Sequence, residues 1–197
     1  MKKIQLIILL LFLINSNAQS IIRALKMHEG GPIAAGTYFQ DIDDDIDSFQ
    51  GSYEYNNNGI VFRIHLLKKT MAHEDNYYAD TLIGEIEYYE NGNQLVNTTS
   101  QLNTNFSNID NHAIAGAQIS DNGFACSDCT PGEIIIETTI WDSRLGGELT
   151  LRKTTVNGIP ALKVNKYTYA SFRARQQGDP YILPVIPSGN YIMVKLP

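Results

Sequence analysis

Asn-Gly dipeptides constrain the fold of this 197-residue chain more than any other feature. They occur at residues 58–59, 91–92, 122–123 and 157–158, and a Gly-Gly pair lies at residues 146–147. Asn and Gly tolerate the positive φ angles of two-residue hairpin turns, whose twist matches that of the strands they join. The pattern therefore predicts a series of antiparallel β-hairpins.

The segments between these turns alternate apolar and polar residues, as strands with one buried face do. In one segment Phe62, Ile64 and Leu66 share a face, and Arg63 and His65 share the opposite face. Comparable strand patterns occur at residues 52–55, 82–89, 94–98, 133–142, 148–156, 159–164 and 191–196. We therefore expect an all-β protein.

The predicted fold is a single antiparallel meander of about eight strands that forms a closed or partly open barrel. A two-sheet sandwich is the alternative, because periodicity does not show whether a sheet closes. Residues 41–49 carry apolar side chains at helical spacing, which predicts a short N-terminal helix. Residues 99–128 lack a pattern and are expected to be irregular, with a short strand near residues 113–119.

The first 18 residues have the layout of a secretory signal peptide. Lys2 and Lys3 precede an apolar run at residues 4–14, and Ser-Asn-Ala at residues 16–18 forms a cleavage site of small residues. The run is too short to cross a bilayer as a stable helix, so cleavage is expected. The predicted product is one β domain at residues 19–197, exported to the periplasm or the extracellular space without a stable membrane anchor.

The charge of the chain excludes some classes of partner. Its formal net charge is −6, and loss of the two leader lysines makes it more negative. A negative surface repels the phosphates of nucleic acids and anionic lipids. The expected partner is therefore a small ligand or a protein.

The two cysteines, Cys126 and Cys129, are predicted to form a disulfide, because export places them in an oxidising space. A thioredoxin-like motif would need a helix after the first cysteine, whereas Thr-Pro-Gly follows at residues 130–132. A zinc site would need a second pair of ligands, and no two of the four histidines are spaced as a pair. No metal site is predicted.

Five aspartates between residues 41 and 47 have some of the spacing of a calcium loop. Ile46 stands where such a loop needs Gly, and Ser52 stands where it needs a bidentate Glu. The favoured interpretation is a solvated acidic face at the start of the helix.

Two pairs of glutamates, Glu85 with Glu87 and Glu133 with Glu137, each project from one face of a predicted strand. Residues two apart on a strand, as Glu85 and Glu87 are, lie about 7 Å apart, which suits some glycosidase carboxylate pairs. Alternating Glu is also the ordinary pattern of a solvent face, and this interpretation is favoured. His65 is likewise expected on the surface. Because no nucleophile, base and orienting group come together, we expect a non-enzymatic protein without a cofactor.

Ligand contacts are predicted from the aromatic and core residues. Tyr77 and Tyr78 lie near the start of a strand, where exposed rings stack on sugar or apolar surfaces. If the barrel encloses an apolar cavity, Phe62, Ile64 and Leu66 line it. These five residues are the predicted contacts.

Several motifs in order resemble a bacterial exported family. They are Phe-Gln-Gly-Ser-Tyr-Glu-Tyr at residues 49–55, Tyr-Tyr-Ala-Asp-Thr-Leu-Ile-Gly-Glu at residues 77–85 and Pro-Ser-Gly-Asn-Tyr-Ile-Met-Val-Lys at residues 187–195. The chain is similar over most of its mature length to this family, domain of unknown function 6705, whose members usually carry Trp in place of Tyr53. The resemblance implies no activity and transfers no functional residue. A turn ending in Phe-x-Gly-x-aromatic at the first strand is also similar to the start of lipocalin-like barrels.

These observations predict an exported, non-enzymatic module that binds a small apolar or glycan ligand in the mouth of a barrel. The alternative is an exported structural or protein-interaction domain with a filled interior and a flat, Tyr-rich patch. A cavity of about 300 Å³ or more, lined by Phe62, Ile64, Leu66, Ile86 and Ile136, would favour the first prediction, and a filled interior would count against it.

Overall fold

The structure is a computed structural model that describes residues 22–27, 32–120, 128–169 and 183–197. Within these residues, eleven strands form one hydrogen-bonded sheet. The strands are β1 (Ile22–Ala24), β2 (Tyr38–Gln40), β3 (Gly51–Asn57), β4 (Ile60–Glu74), β5 (Tyr77–Glu90), β6 (Asn93–Asn97), β7 (Ile114–Ser120), β8 (Ile135–Trp141), β9 (Gly146–Val156), β10 (Ile159–Thr168) and β11 (Gly189–Lys195). Short 3₁₀ helices span Leu25–Met27, Ile46–Phe49, Thr99–Gln101 and Ile109–Asn111.

Eight of the strands close into an antiparallel barrel in the order β5-β4-β3-β11-β10-β9-β8-β7. β7 returns to β5 and completes the ring through the pairs Ile83–Ala115 and Gly84–Ile114. β6 pairs with one end of β5, and β2 pairs in parallel with the other end and carries β1 beyond it. The predicted all-β barrel is confirmed, in place of the alternative two-sheet sandwich.

Three Asn-Gly dipeptides form the hairpin turns that the sequence predicts. At residues 58–59, 91–92 and 157–158 the Asn φ angles are 50–52° and the Gly φ angles are 78–81°. Positive φ at both central residues defines a type I′ turn. These turns join β3 to β4, β5 to β6 and β9 to β10.

The turn predicted at Gly146-Gly147 is wrong, because both residues belong to β9. The chain reverses instead at residues 142–145, where the Asp142 carboxylate accepts two backbone N–H groups of the turn at 3.2 and 2.9 Å. A Cβ on Gly147 would clash with the Tyr167 carbonyl oxygen on β10. Glycine is needed there for the close approach of two strands, a second common role of glycine in sheets.

The short helix predicted over residues 41–49 is not confirmed, since the segment holds only the 3₁₀ turn Ile46–Phe49. Asp41 is buried, and its carboxylate accepts two backbone N–H groups of the same segment, both at 3.0 Å. Asp44 has a φ of 54°, outside the range of a right-handed helix. Hydrogen bonds from side chain to backbone thus replace helical ones, and Asp41 is not part of a solvated face.

Apolar side chains fill the interior of the barrel. Phe62, Ile64 and Leu66 of β4 are at most 1% exposed, so the predicted alternation of this strand is confirmed. The Phe62 ring packs edge-on against Tyr88 and Tyr191, with centroid distances of 6.1 and 5.3 Å. The barrel is therefore held by a packed core.

The strand predicted near residues 113–119 is confirmed as β7, the strand that closes the barrel. The signal peptide at residues 1–18, Cys126 and the Asn-Gly pair at residues 122–123 lie outside the described residues. Cleavage, and the disulfide with Cys129, therefore stay predictions. No helix among the described residues is long and apolar enough to cross a membrane.

Candidate functional site

A cleft of about 320 Å³ lies where β5 and β7 diverge. Its walls come from β2, β5, β7, β8 and β9, with Leu25 and the end of β4 at its edges. β5 pairs with β7 only at Ile83 and Gly84, so Tyr77 and residues 79–81 line the cleft instead of pairing with β7. The cleft therefore marks an incomplete seam of the barrel.

A bulge in β7 creates this divergence. Ala115 pairs with Thr139 and Gln118 pairs with Glu137, so two residues of β7 stand opposite one residue of β8. The bulge includes Gly116, whose φ of 96° favours glycine. A bulged strand bends and twists more strongly than a regular one, which accounts for the separation of β7 from β5.

Threonine hydroxyls stabilise the bulge. Thr138 and Thr139 both donate to the Ala115 carbonyl, at 3.0 and 2.7 Å. A buried carbonyl that loses its ladder partner would otherwise leave a polar group unsatisfied, at a cost of about 1–3 kcal/mol. The β7 wall of the cleft is thus hydrogen-bonded to β8 at the bulge.

Asp80 holds the opposite wall in place. Its carboxylate is buried and accepts the Tyr38 hydroxyl at 2.6 Å, the Asp41 N–H at 3.0 Å and the Met71 N–H at 3.1 Å. These bonds attach β2 to β5 and satisfy a bulge in β4, where Met71 has a φ of 50°. Burial and the hydrogen bond to Asp80 raise the pKa of Tyr38 to about 12.

The cleft combines an apolar wall with an acidic rim. Phe39 and Tyr77 pack edge-on with a centroid distance of 5.5 Å, and both line the cleft. Glu74, Glu137 and Glu148 also line it, and among the described residues no Lys, Arg or His does. Burial raises the pKa of Glu74, and the charges of nearby acidic groups raise it further. The site therefore favours apolar groups and hydrogen-bond donors over anions.

Glu85 contradicts the predicted solvent face of β5. Its side chain and that of His112 are fully buried, and His112 Nδ1 lies 2.7 Å from Glu85 Oε1. Ile109 packs with Ile83 over this outer face, and the Phe106 ring lies edge-on to His112 at 4.8 Å. The outer face of β5 at Glu85 is therefore a second buried layer, although the residue is polar. The chain between β6 and β7 covers this face.

His65 and Glu87 belong to a row of polar side chains across β3, β4 and β5. Ser52 Oγ lies 2.8 Å from His65 Nδ1, and His65 Nε2 lies 3.3 Å from Glu87 Oε1. Glu87 also accepts Arg63 and Tyr89 at 3.0 and 2.9 Å. Burial opposes ionisation of Glu87, but these hydrogen bonds outweigh it and lower its pKa. The row links three strands, and Ser52 does not line the cleft.

Two other grooves, of about 380 and 470 Å³, lie on either side of Arg152. Arg152 Nε lies 2.8 Å from Glu133 and its Nη1 lies 2.6 Å from Asp128. Lys163 also pairs with Asp128, at 3.2 Å. In these grooves the charges of Arg152 and Lys163 are paired with those of Asp128 and Glu133. Glu133 pairs with Arg152 whereas Glu137 lines the cleft, so the two glutamates form no carboxylate pair.

The predicted ligand contacts occupy different environments. Tyr77 lines the cleft, whereas Tyr78 is half-buried and packs edge-on against His73 at 5.2 Å. The three core residues of β4, Phe62, Ile64 and Leu66, line none of the three cavities, and their role in binding stays a prediction.

Sequence reasoning missed Phe39 and the β7 bulge, although a glycine inside an apolar strand pattern is a known sign of a bulge. In the part of the chain that is described, no group of three or more His, Cys, Asp or Glu side chains is arranged to hold a metal ion.

Comparison with known proteins places the chain in a family. A family of unknown function (DUF6705) matches residues 1–196. The chain belongs to this family. Membership of DUF6705 confirms the resemblance carried by the motifs at residues 49–55, 77–85 and 187–195, and it assigns no activity. No curated protein and no solved structure matches the chain significantly.

Proposed function

We propose that this member of DUF6705 is an exported, non-enzymatic module that binds a small apolar or glycan ligand in the cleft between β5 and β7. The observation that carries the proposal is the cleft itself. Its volume of about 320 Å³ lies within the range of about 300–1,000 Å³ of small-molecule sites. An apolar wall with a few converging polar groups is also typical of such sites.

The chemistry of the cleft limits the ligand. The half-buried ring of Tyr77, which packs on the buried ring of Phe39, offers an apolar surface, and the carboxylates of Glu74 and Glu137 accept hydrogen bonds. A sugar ring has an apolar face and donating hydroxyl groups, so it complements both features. An anionic ligand would meet carboxylates without a compensating cation among the described lining residues.

Export is the second part of the proposal, and the Lys-led apolar leader supports it. Mass spectrometry of the protein purified from its own host tests both parts on one sample. Under denaturing conditions, the expected mass is that of a chain beginning at Gln19. A chain that retains Lys2 and Lys3 would contradict export.

Under native conditions the same sample is expected to show an added mass from a retained ligand. Ala117→Trp fills the cleft and should reduce the bound fraction at least 10-fold. Leu95→Trp places the same side chain at an exposed position of β6 and should leave the bound fraction unchanged. The proposal fails if the wild-type protein carries no ligand, or if the Ala117→Trp protein carries as much as the wild type.

A further inference from the structure

The single tryptophan of the chain lies on the barrel surface among exposed tyrosines. Trp141 ends β8 and is 55% exposed, while Tyr167 and Tyr169, at the end of β10, are 59% and 40% exposed. The two tyrosine rings lie 6.3 Å apart at an interplanar angle of 78°. We call these three residues the aromatic patch.

Gly146 allows the rings to come together. It pairs with Trp141 across β8 and β9, and its carbonyl accepts the Tyr169 N–H at 3.0 Å. A Cβ at this position would lie 3.2 Å from the Trp141 ring and 3.9 Å from the Tyr169 ring. The rings therefore flank a glycine on the sheet, and a larger residue would displace the indole.

Polar groups of the cleft adjoin the aromatic patch. Glu148 pairs with Tyr167 across β9 and β10, and it accepts the hydroxyl of Tyr169. Thr139 precedes Trp141 by two residues and so lies on the same face of β8. Both Glu148 and Thr139 also line the cleft. The patch and the cleft are thus neighbouring parts of one surface.

We infer that the aromatic patch binds a glycan chain of neutral sugars, which continues from the cleft across Trp141. This inference rests on the proposed function and extends it from a single sugar to a chain. Sugar rings pack their C–H faces on aromatic rings, and their hydroxyl groups need acceptors such as Glu148 and Thr139 beside those rings. The acidic rim of the cleft disfavours an acidic polysaccharide.

The size of the aromatic patch favours a glycan over a protein partner. At about 150–250 Å² per aromatic side chain, the exposed fractions offer roughly 230–390 Å². A stable protein interface buries about 800 Å² on each partner. The patch covers less than half of that area, but it suits two or three sugar rings.

The position of Trp141 permits a direct test, since the fluorescence of the chain reports on this one tryptophan. The probes are the β-1,4-linked hexasaccharides of glucose, mannose, xylose and N-acetylglucosamine. At least one of them is expected to shift the emission to shorter wavelength and to protect the indole from acrylamide. The inference is overturned if none of the four changes the emission.

Calorimetry of variants assigns the binding to the patch. Trp141→Ala should weaken binding of the active hexasaccharide at least 10-fold, and Trp141→Tyr should retain most of it. Ile159→Ala removes an equally exposed side chain at the far end of β9 and β10, and it should have no effect. Binding that survives Trp141→Ala would overturn the inference, as would protection of the indole by a host protein alone.

The cleft-filling variant separates the two proposals. The Ala117→Trp protein should bind the hexasaccharide more weakly than the wild type, because the patch alone remains. If hexasaccharide binding is unchanged in Ala117→Trp, the patch stands as a separate site and its extension into the cleft is wrong. If Ala117→Trp releases a native ligand while no hexasaccharide affects Trp141, the cleft proposal stands and the glycan inference is wrong.

Discussion

The buried pair Glu85 and His112 gives a sharp prediction about stability. Both side chains are fully buried, and their second polar atoms, Glu85 Oε2 and His112 Nε2, have no hydrogen-bond partner among the described residues. Replacing one member of a buried pair leaves the other unpaired and costs about 3–5 kcal/mol. Glu85→Leu and His112→Leu should therefore each lower the free energy of unfolding by that amount.

The double variant should behave differently from the sum of the single ones. Glu85→Leu with His112→Leu removes both buried polar groups at once, and replacing a buried pair by apolar residues is often neutral or stabilising. We expect its free energy of unfolding to lie within about 1 kcal/mol of the wild type or above it. The coupling energy between the two positions should therefore be several kcal/mol.

Urea unfolding followed by far-UV circular dichroism measures these differences. For a slope of about 2–3 kcal/mol/M, each single variant should lower the midpoint by about 1–2.5 M. Glu90→Leu makes the same change at an exposed position of β5 and should alter stability by no more than about 0.5 kcal/mol. Additive effects in the double variant, or a Glu85→Leu midpoint equal to that of the wild type, would refute the reasoning.

Three further predictions concern other groups. The pKa of Tyr38, raised from its ordinary value of 10 to about 12, means that its stabilising effect is complete below pH 10 and is lost as the pH rises to 12. Tyr38→Phe should therefore lose less stability than the wild type between pH 10 and 12 in urea titrations. Asp41→Ala removes the acceptor of two backbone N–H groups and should lower the free energy of unfolding by about 2–4 kcal/mol, whereas Asp43→Ala, on the exposed face, should change it little. Ellman titration of the unreduced, denatured protein should find no thiol at Cys126 or Cys129, and two free thiols would disprove the disulfide.

Local signals predicted the parts of the fold that depend on neighbouring residues. The Asn-Gly turns required only two adjacent residues with positive φ, and the alternation of Phe62, Ile64 and Leu66 required only one buried face. Both patterns are confirmed. The helix expected at residues 41–49 is limited to a 3₁₀ turn because a buried Asp41 side chain competes for the backbone N–H groups, which apolar spacing does not reveal.

The candidate site could not be predicted because it depends on contacts between distant segments. The cleft needs the β7 bulge at Gly116, the parallel pairing of β2 with β5, and the attachment of both to Asp80. Only the bulge has a signature within one strand, the glycine at residue 116, and that glycine does not show which strand β7 leaves. Glu85 shows the same limit, since its polar residue type indicated solvent until the chain around His112 covered that face.

Because the seam between β5 and β7 is short, the local stability of the barrel is lower there than along its other strand pairs. Two residue pairs close the seam, whereas β4 and β5, or β9 and β10, pair along nearly their whole lengths. Opening one seam of a ring leaves an open sheet in which the other pairings survive, so its free energy lies below that of global unfolding. The same opening widens the cleft. A ligand that contacts both walls therefore opposes the opening, and its affinity includes the free energy of keeping the ring closed.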